Sequence, residues 1–268
     1  MNRIRVLPIR GNNAIIRDCP RCNLVRTAII SDIHSNLPAL ESVLAKIDTL
    51  DIAKIVCCGD IIGYCAHPNE VIGKLRNILT VSIRGNHDVA LMDPREAEAF
   101  NNYAREAIFW TRATLTLEHL DWLKGLKDQE QSGDIILAHG SLFDPDEYVY
   151  SPFQAAKSLE IAPCRMVAVG HTHYPEVYRF EPSTGLCRDI LASEGELELE
   201  EGYRYMINAG SVGQPRDGDW RTAFAVYDDA GSGKIEIHRV DYDVHSAVDR
   251  IKDVGLPVML GDRLFEGR

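Results

Sequence analysis

The side chains of this chain that could do chemistry fall in five short groups, each placed directly after an apolar stretch. Ser31-Asp32-Ile33-His34 follows Thr27-Ala28-Ile29-Ile30, and Gly59-Asp60-Ile61-Ile62-Gly63 follows Ile55-Val56-Cys57-Cys58. Gly85-Asn86-His87-Asp88, Ala138-His139-Gly140 and Gly170-His171-Thr172-His173 close three further stretches. Seven of these residues make the candidate donor set, Asp32, His34, Asp60, Asn86, His139, His171 and His173, with His87 left over. One ion takes about four to six ligands, so seven donors invite two ions with one carboxylate shared. A mixed oxygen and nitrogen set without Cys suits Mn, Fe, Zn, Co or Ni better than Ca or lone Mg. Two ions about 3.5–4 Å apart can hold a bridging hydroxide and clamp a phosphoryl group, the arrangement that hydrolyses phosphoesters. Singly, an Asp-x-His or a His-Gly pair is an ordinary cap or core histidine. Five groups in order, each at the end of an expected strand, are not.

The elements that must position these groups can be read from periodicity. The runs at 27–30, 55–58 and 79–83 have the short, continuously apolar texture of buried strands. Between the first two, Ser35-Asn36-Leu37-Pro38 opens a helix that carries Leu37, Leu40, Val43, Leu44 and Ile47 on one face. Pro68 starts a second helix, with Val71, Ile72 and Leu75 inward. Alternation of strand and helix predicts an α/β fold with right-handed crossovers and a site outside the carboxyl ends of the strands. A helical segment is expected over 93–126. Its first helix starts with Asp93 as cap, Pro94 in the first turn and Glu96 at the third position, and carries Phe100, Tyr103, Ala104, Ala107, Ile108 and Thr111 on one stripe. Its second helix covers 117–126. Strands at 134–138 and 165–169 flank a helix near 152–159. After Tyr174 the pattern changes to strands and turns, at 177–180, 186–191, 196–200, 203–207, 222–227 and 234–240. Glu196-Leu-Glu-Leu-Glu200 alternates and reads as an exposed edge strand. A helix over about 243–254 closes the pattern. Residues 1–25 show no period and read as an N-terminal extension holding Cys19-Pro-Arg-Cys22, which has no second ligand pair nearby. Residues 26–268 read as one domain.

Composition narrows the partners. The formal net charge is −11 over 268 residues, which argues against wrapping a long nucleic acid. A small anionic substrate stays open, because a metal cluster can invert the sign inside one cleft. No run of about 18 apolar residues offers a membrane span. The basic N-terminus lacks the apolar stretch of a secretory signal. Seven scattered cysteines fit reduced thiols, and so a cytoplasmic protein.

In their order, D-x-H, G-D-x-x-G, G-N-H-D, H-G and G-H-T-H resemble the motifs of the calcineurin-like metallophosphoesterases, over residues 27–241. The resemblance implies a four-layer α-β-β-α sandwich with two mixed β-sheets. It also implies that Asp32, His34, Asp60 and His173 hold one divalent ion and that Asp60, Asn86, His139 and His171 hold the other. Asp60 would bridge the pair, and a metal-bridging hydroxide would attack the phosphorus. His87 would stand over the site to protonate the leaving oxygen or stabilise the developing charge. Mn is the expected ion, with Fe, Zn, Ni or Co as alternatives. Gly63 and Tyr64 stand where the protein-phosphatase branch carries an Asp and an Arg, and Asp88 stands where that branch has Glu. The chain is therefore more similar to the compact prokaryotic phosphodiesterases, a branch that also carries an Asn-x-Gly-Ser motif, here within Asn208-Ala-Gly-Ser-Val-Gly-Gln-Pro-Arg216.

The expected function is hydrolysis of a small organic phosphoester, a diester first. A phosphomonoesterase or nucleotide pyrophosphohydrolase is the rival enzyme, and a metal-binding scaffold without turnover is the rival outside enzymes. Arg216 is the candidate phosphate contact, its planar fork matching phosphate oxygens. Tyr64, Phe143 and Tyr148 are aromatic residues on loops that could stack on a base. Asp88 either orients a ligand or backbone group or caps the short helix after its loop. Ser211 is expected to serve the backbone of its own turn.

Overall fold

The computed structural model describes residues 25–93 and 95–268. The expected extension with Cys19 and Cys22, and Pro94, lie outside the described residues. The chain begins as read: β1 (Arg26–Ile30), α1 (Leu37–Ile47), β2 (Lys54–Cys57), α2 (Pro68–Leu75) and β3 (Val81–Ser82), with β1, β2 and β3 parallel. Asn36 caps α1 by accepting from the Ala39 N–H, and Ala39, Leu40, Val43 and Ile47 form its buried face. The run at 79–83 yields only a two-residue strand, after which Ile83 makes an isolated bridge to Lys127.

The helical segment departs from expectation at its start. After α3 (Asn86–Met92), Asp93 caps no α-helix; a 3₁₀ turn covers Glu96–Ala99, and α4 (Asn102–Thr114) begins only there. Its cap is Asn101, whose side chain accepts from the Ala104 N–H. The Asp93 carboxylate is instead engaged by the Arg95 guanidinium and N–H. The stripe Ala104, Ala107, Ile108 and Thr111 is buried as read, whereas Tyr103 is exposed. α5 (Leu117–Lys124) follows.

Next come β4 (Gln129–Ser132), β5 (Ile135–Ala138), α6 (Pro152–Ile161), β6 (Met166–Val169), β7 (Pro175–Glu181) and β8 (Leu186–Ala192). The described chain closes with β9 (Gly195–Glu198), β10 (Arg204–Ala209), β11 (Thr222–Asp228), β12 (Lys234–Val240), α7 (Val244–Asp253) and α8 (Val258–Glu266). β4 and α8 were not expected. β9 is the edge strand its alternation predicts, with Glu196 and Glu198 exposed and Leu197 packed inward.

Two mixed six-stranded sheets result, ordered β3-β2-β1-β11-β12-β9 and β4-β5-β6-β10-β7-β8. They face each other across Ile29, Val56 and Ile83 from one sheet and Leu137, Ala168, Tyr205 and Ile207 from the other. Ala28 and Ile30, on the opposite face of β1, pack into the layer of α1, α2, α7 and α8. Val167 and Met206 pack outward against Ala155 and Leu159 of α6. Both faces of β1 are thus buried, which explains its continuous apolar run. The layers are helix, sheet, sheet, helix, the four-layer α/β sandwich. Among the described residues no helix is long and apolar enough to cross a membrane.

Candidate metal centre

The five groups meet at one end of the sandwich, but not above one sheet. Those after β1, β2 and β3 come from the first sheet, and those after β5 and β6 from the second. Parallel strands send the chain out at the same end, so the site forms where the carboxyl ends of two packed sheets come together.

Asp32, His34, Asp60 and His173 offer one donor atom each within 4.8 Å of one another, and so do Asp60, His139 and His171. All six side chains are buried. Asn86 joins the second group through its Oδ1, 3.1 Å from His139 Nε2. The seven donors named from sequence are therefore brought together, with Asp60 in both groups.

Backbone carbonyls aim the imidazoles. Nδ1 of His34, His139 and His173 donates to the carbonyls of Ile62 at 3.2 Å, Cys58 at 2.8 Å and Gln214 at 2.5 Å. Each Nε2 is left facing the cluster, the second-partner arrangement usual for ligating histidines. His171 is turned the other way: its Nε2 donates to the Asp146 carbonyl at 3.1 Å, leaving Nδ1. The Asp32 carboxylate accepts from the His171 N–H at 3.1–3.2 Å, and Asp60 Oδ1 accepts from the His87 N–H at 2.8 Å.

The backbone at these positions is strained. Asp32, His34, Asp60, Tyr64, His171 and His173 all have φ between 46° and 68°, the left-handed region that residues with a Cβ avoid. Two glycines let the turns close. A Cβ on Gly63, itself at φ 108°, would lie 2.5 Å from His87 Nδ1, and one on Gly85 would lie 2.2 Å from Asp60 Oδ1.

Asp88 ties the start of α3 to the turn after β2. Its carboxylate accepts from the Gly85 N–H at the start of α3, and from the Ile61 and Ile62 N–H groups that follow Asp60. Ser211 also serves backbone, donating to the Asp32 carbonyl and accepting from the Gln214 N–H. Asn208 donates to the Gly170 carbonyl and to Thr172, so the Asn208–Arg216 segment straps the first and last groups together.

The donors fit divalent ions. Burial holds the His34 and His173 rings well below the usual imidazole range, so both are neutral. With each Nδ1 proton committed to a carbonyl, two Nε2 lone pairs face each other at 3.2 Å. A cation between them removes that repulsion. In the second group burial would lower His139, but Asp60 outweighs it and raises the ring to about 10. Its Nε2 lies 3.4 Å from Asp60 Oδ2 and 3.1 Å from Asn86 Oδ1, so the ring is set among oxygen donors. Burial pushes Asp32 up to about 7, with His139 opposing and Asp60 reinforcing it. Burial also pushes Asp60 up, but His139, His87 and His34 prevail and leave it well below the usual carboxylate range.

His87 stands beside the cluster, 4.7 Å from His34 between ring centroids, packed against Tyr64 and Phe100. Its Nδ1 is buried without a partner among the described residues, and burial lowers the ring to about 4. Tyr64 is almost fully buried, and its hydroxyl accepts from the Arg216 Nη2 at 3.2 Å. The two candidate substrate contacts are therefore in touch with each other across 152 positions of sequence. Phe143 is exposed, whereas Tyr148 stacks on His171 at 3.9 Å. Sequence reasoning missed the Ile62, Cys58, Asp146 and Gln214 carbonyls. Their only signal was adjacency to the motifs.

A family model described as the calcineurin-like phosphoesterase superfamily domain matches residues 25–230. The chain belongs to that superfamily. A metallophosphoesterase of Sphaerobacter thermophilus, solved by crystallography, is 35% identical with a TM-score of 0.79, covering 91% of this chain and 99% of that one. An uncharacterized protein of Methanocaldococcus jannaschii is 38% identical over 252 residues, 90% of this chain and 98% of its own. A hypothetical protein of Pyrococcus horikoshii shares the fold at 23% identity, with a TM-score of 0.73 over 91% of this chain and 99% of its own. Membership of the superfamily, with the Asp/His cluster, makes this chain a phosphoester hydrolase by family and a candidate binder of divalent ions.

Proposed function

We propose that this chain is a two-metal phosphodiesterase that hydrolyses a small organic phosphoester. The observation that carries the reading is the Asp60 carboxylate, which belongs to both donor groups. Asp32, His34, Asp60 and His173 would hold one ion, and Asp60, Asn86, His139 and His171 the other, with Mn assigned to both. When bound, the pair would supply an activated water and a Lewis-acid clamp on the phosphoryl oxygens.

The chain's own residues do the rest. Asp88 and Gly85 hold the turn that aims Asp60, so this carboxylate need not reorganise when charge develops. His87, kept neutral by burial, serves as an N–H donor to the developing charge rather than as a resident imidazolium. Arg216, fixed through Tyr64 and Gln214, presents a cation for a phosphate oxygen. Gly63 and Tyr64, in place of Asp and Arg, support the diesterase branch over the protein phosphatases. Among the described residues Cys57, Cys58, Cys65, Cys164 and Cys187 form no disulfide, which supports assignment to a reducing compartment, the cytoplasm.

The test is Mn-supplemented turnover of bis-p-nitrophenyl phosphate against p-nitrophenyl phosphate. Faster cleavage of the diester is expected. Preference for the monoester would replace the reading with a phosphatase, and inactivity on both with a scaffold.

A further inference from the structure

Three tyrosines run outward from the site. Tyr148 lies face to face with His171, at 22° and 3.9 Å between centroids. Tyr150 lies parallel to Tyr148 at 5.7 Å, and Tyr174 meets Tyr150 almost at a right angle, 85°, at 5.9 Å. They are 43%, 53% and 39% exposed. Single exposed aromatics need no explanation, but a contiguous series that starts on a candidate metal donor forms a patch of the kind that binds. Support of His171 requires only the first ring. The Tyr150 main chain is held independently, its N–H donating to Gln154 Oε1 at 3.1 Å, so the exposed ring is not needed to fix the loop.

Arg216 bears on the same place. Its Nη2 donates to the Tyr64 hydroxyl at 3.2 Å, and the Tyr64 ring packs on the candidate donor His34 at 4.6 Å between centroids, so the guanidinium reaches the same donor cluster. A series of aromatic rings and a guanidinium thus each adjoin the donor cluster, the rings through His171 and the guanidinium through Tyr64 and His34. That combination matches a ligand with a planar ring at one end and an anionic ester at the other.

We propose that Tyr148, Tyr150 and Tyr174 form a stacking subsite for a nucleobase, so that the phosphoester taken by this chain is a nucleotide. The assignment rests on the phosphoesterase reading and adds the substrate class. Base stacking on an aromatic side chain is sequence-tolerant, and its loss is expected to cost about 5- to 150-fold in affinity.

The experiment is calorimetric titration of the full chain, with Mn present, using adenosine 5′-monophosphate and ribose 5-phosphate as probes. The nucleotide is expected to bind about 5- to 150-fold more tightly than the sugar phosphate. Tyr150→Ala should bring that ratio down towards one without changing ribose 5-phosphate affinity, and Tyr150→Phe should keep it. Equal affinities in the unmodified chain, or a ratio that survives Tyr150→Ala, would overturn the subsite while leaving the phosphoesterase reading in place. Failure of both probes to bind would overturn the subsite, and would overturn the phosphoesterase reading with it if bis-p-nitrophenyl phosphate is also left uncleaved.

Discussion

At the scale of single residues, His87 carries the most consequence. Its ring is hemmed in by Tyr64, Phe100 and His34 and is held neutral, so its contribution is a positioned N–H group. His87→Ala is expected to keep its metal content, checked by elemental analysis, and to lose about 10²–10³ in kcat, the usual cost of removing one such donor. The rate should show no limb near the ordinary histidine pKa. A limb near pH 6–7 that disappears in the variant would make His87 a proton donor instead. The donors themselves were legible because carboxylates and imidazoles beside glycine, repeated after apolar runs, have few other uses. The tautomers were not, because they are set by carbonyl oxygens that every residue possesses. Nor was the contact between Arg216 and Tyr64, which exists only once two sheets have packed.

At the scale of elements, the turn after β2 depends on Asp88 of α3. Its carboxylate satisfies three buried N–H groups, those of Gly85, Ile61 and Ile62. Asp88→Ala would leave all three unpaired, and each such donor costs about 1–3 kcal/mol. A loss of at least about 3 kcal/mol is expected in urea unfolding, together with reduced metal occupancy, and Asp88→Asn should fall between. Wild-type stability in Asp88→Ala would show that the turn holds itself. Strands and helices with a clear apolar period were legible. β4 was not, because Gln129–Ser132 is polar and sits at a sheet edge, where pairing with β5 rather than burial makes the strand. α8 was missed because its buried face shows only two large side chains, Leu260 and Leu264. Asp93 looked like a cap by type, but its carboxylate is taken by Arg95, and Asn101 starts the helix.

At the scale of the whole molecule, two sheets bring distant sequence together, and the second sheet carries its own electrostatic cost. Burial raises the Glu176 carboxyl on β7 to about 7; the Tyr178 hydroxyl, which donates to it, opposes this, and Asp189 on β8 adds to it. A carboxyl raised in the folded state contributes stability that is present below its unfolded value near 4.5 and lost as pH rises through about 7. Glu176→Gln should therefore gain on the unmodified chain between pH 5 and pH 8, by on the order of 1 kcal/mol after allowance for partial solvent exposure. Urea midpoints at the two pH values decide it, and a constant difference would remove Glu176 from the pH dependence. The α/β class was legible in the strand–helix alternation and the later run of strands, and the four-layer arrangement came from the resemblance of the five motifs. The order of strands was not, since β1 pairs with β11 across some 200 residues and no local pattern encodes that partner.

The left-handed backbone beneath Asp32, His34, Asp60, His171 and His173 has a consequence for descent. Each such residue costs the fold about 1 kcal/mol or more that glycine would not. A lineage that kept this fold but gave up its chemistry would be under steady pressure to soften those five corners first, to glycine, while leaving the apolar strands before them untouched. Among distant kin, retention of a β-carbon at every one of these corners is thus a mark of a site still in use, legible from backbone geometry before any reaction is known.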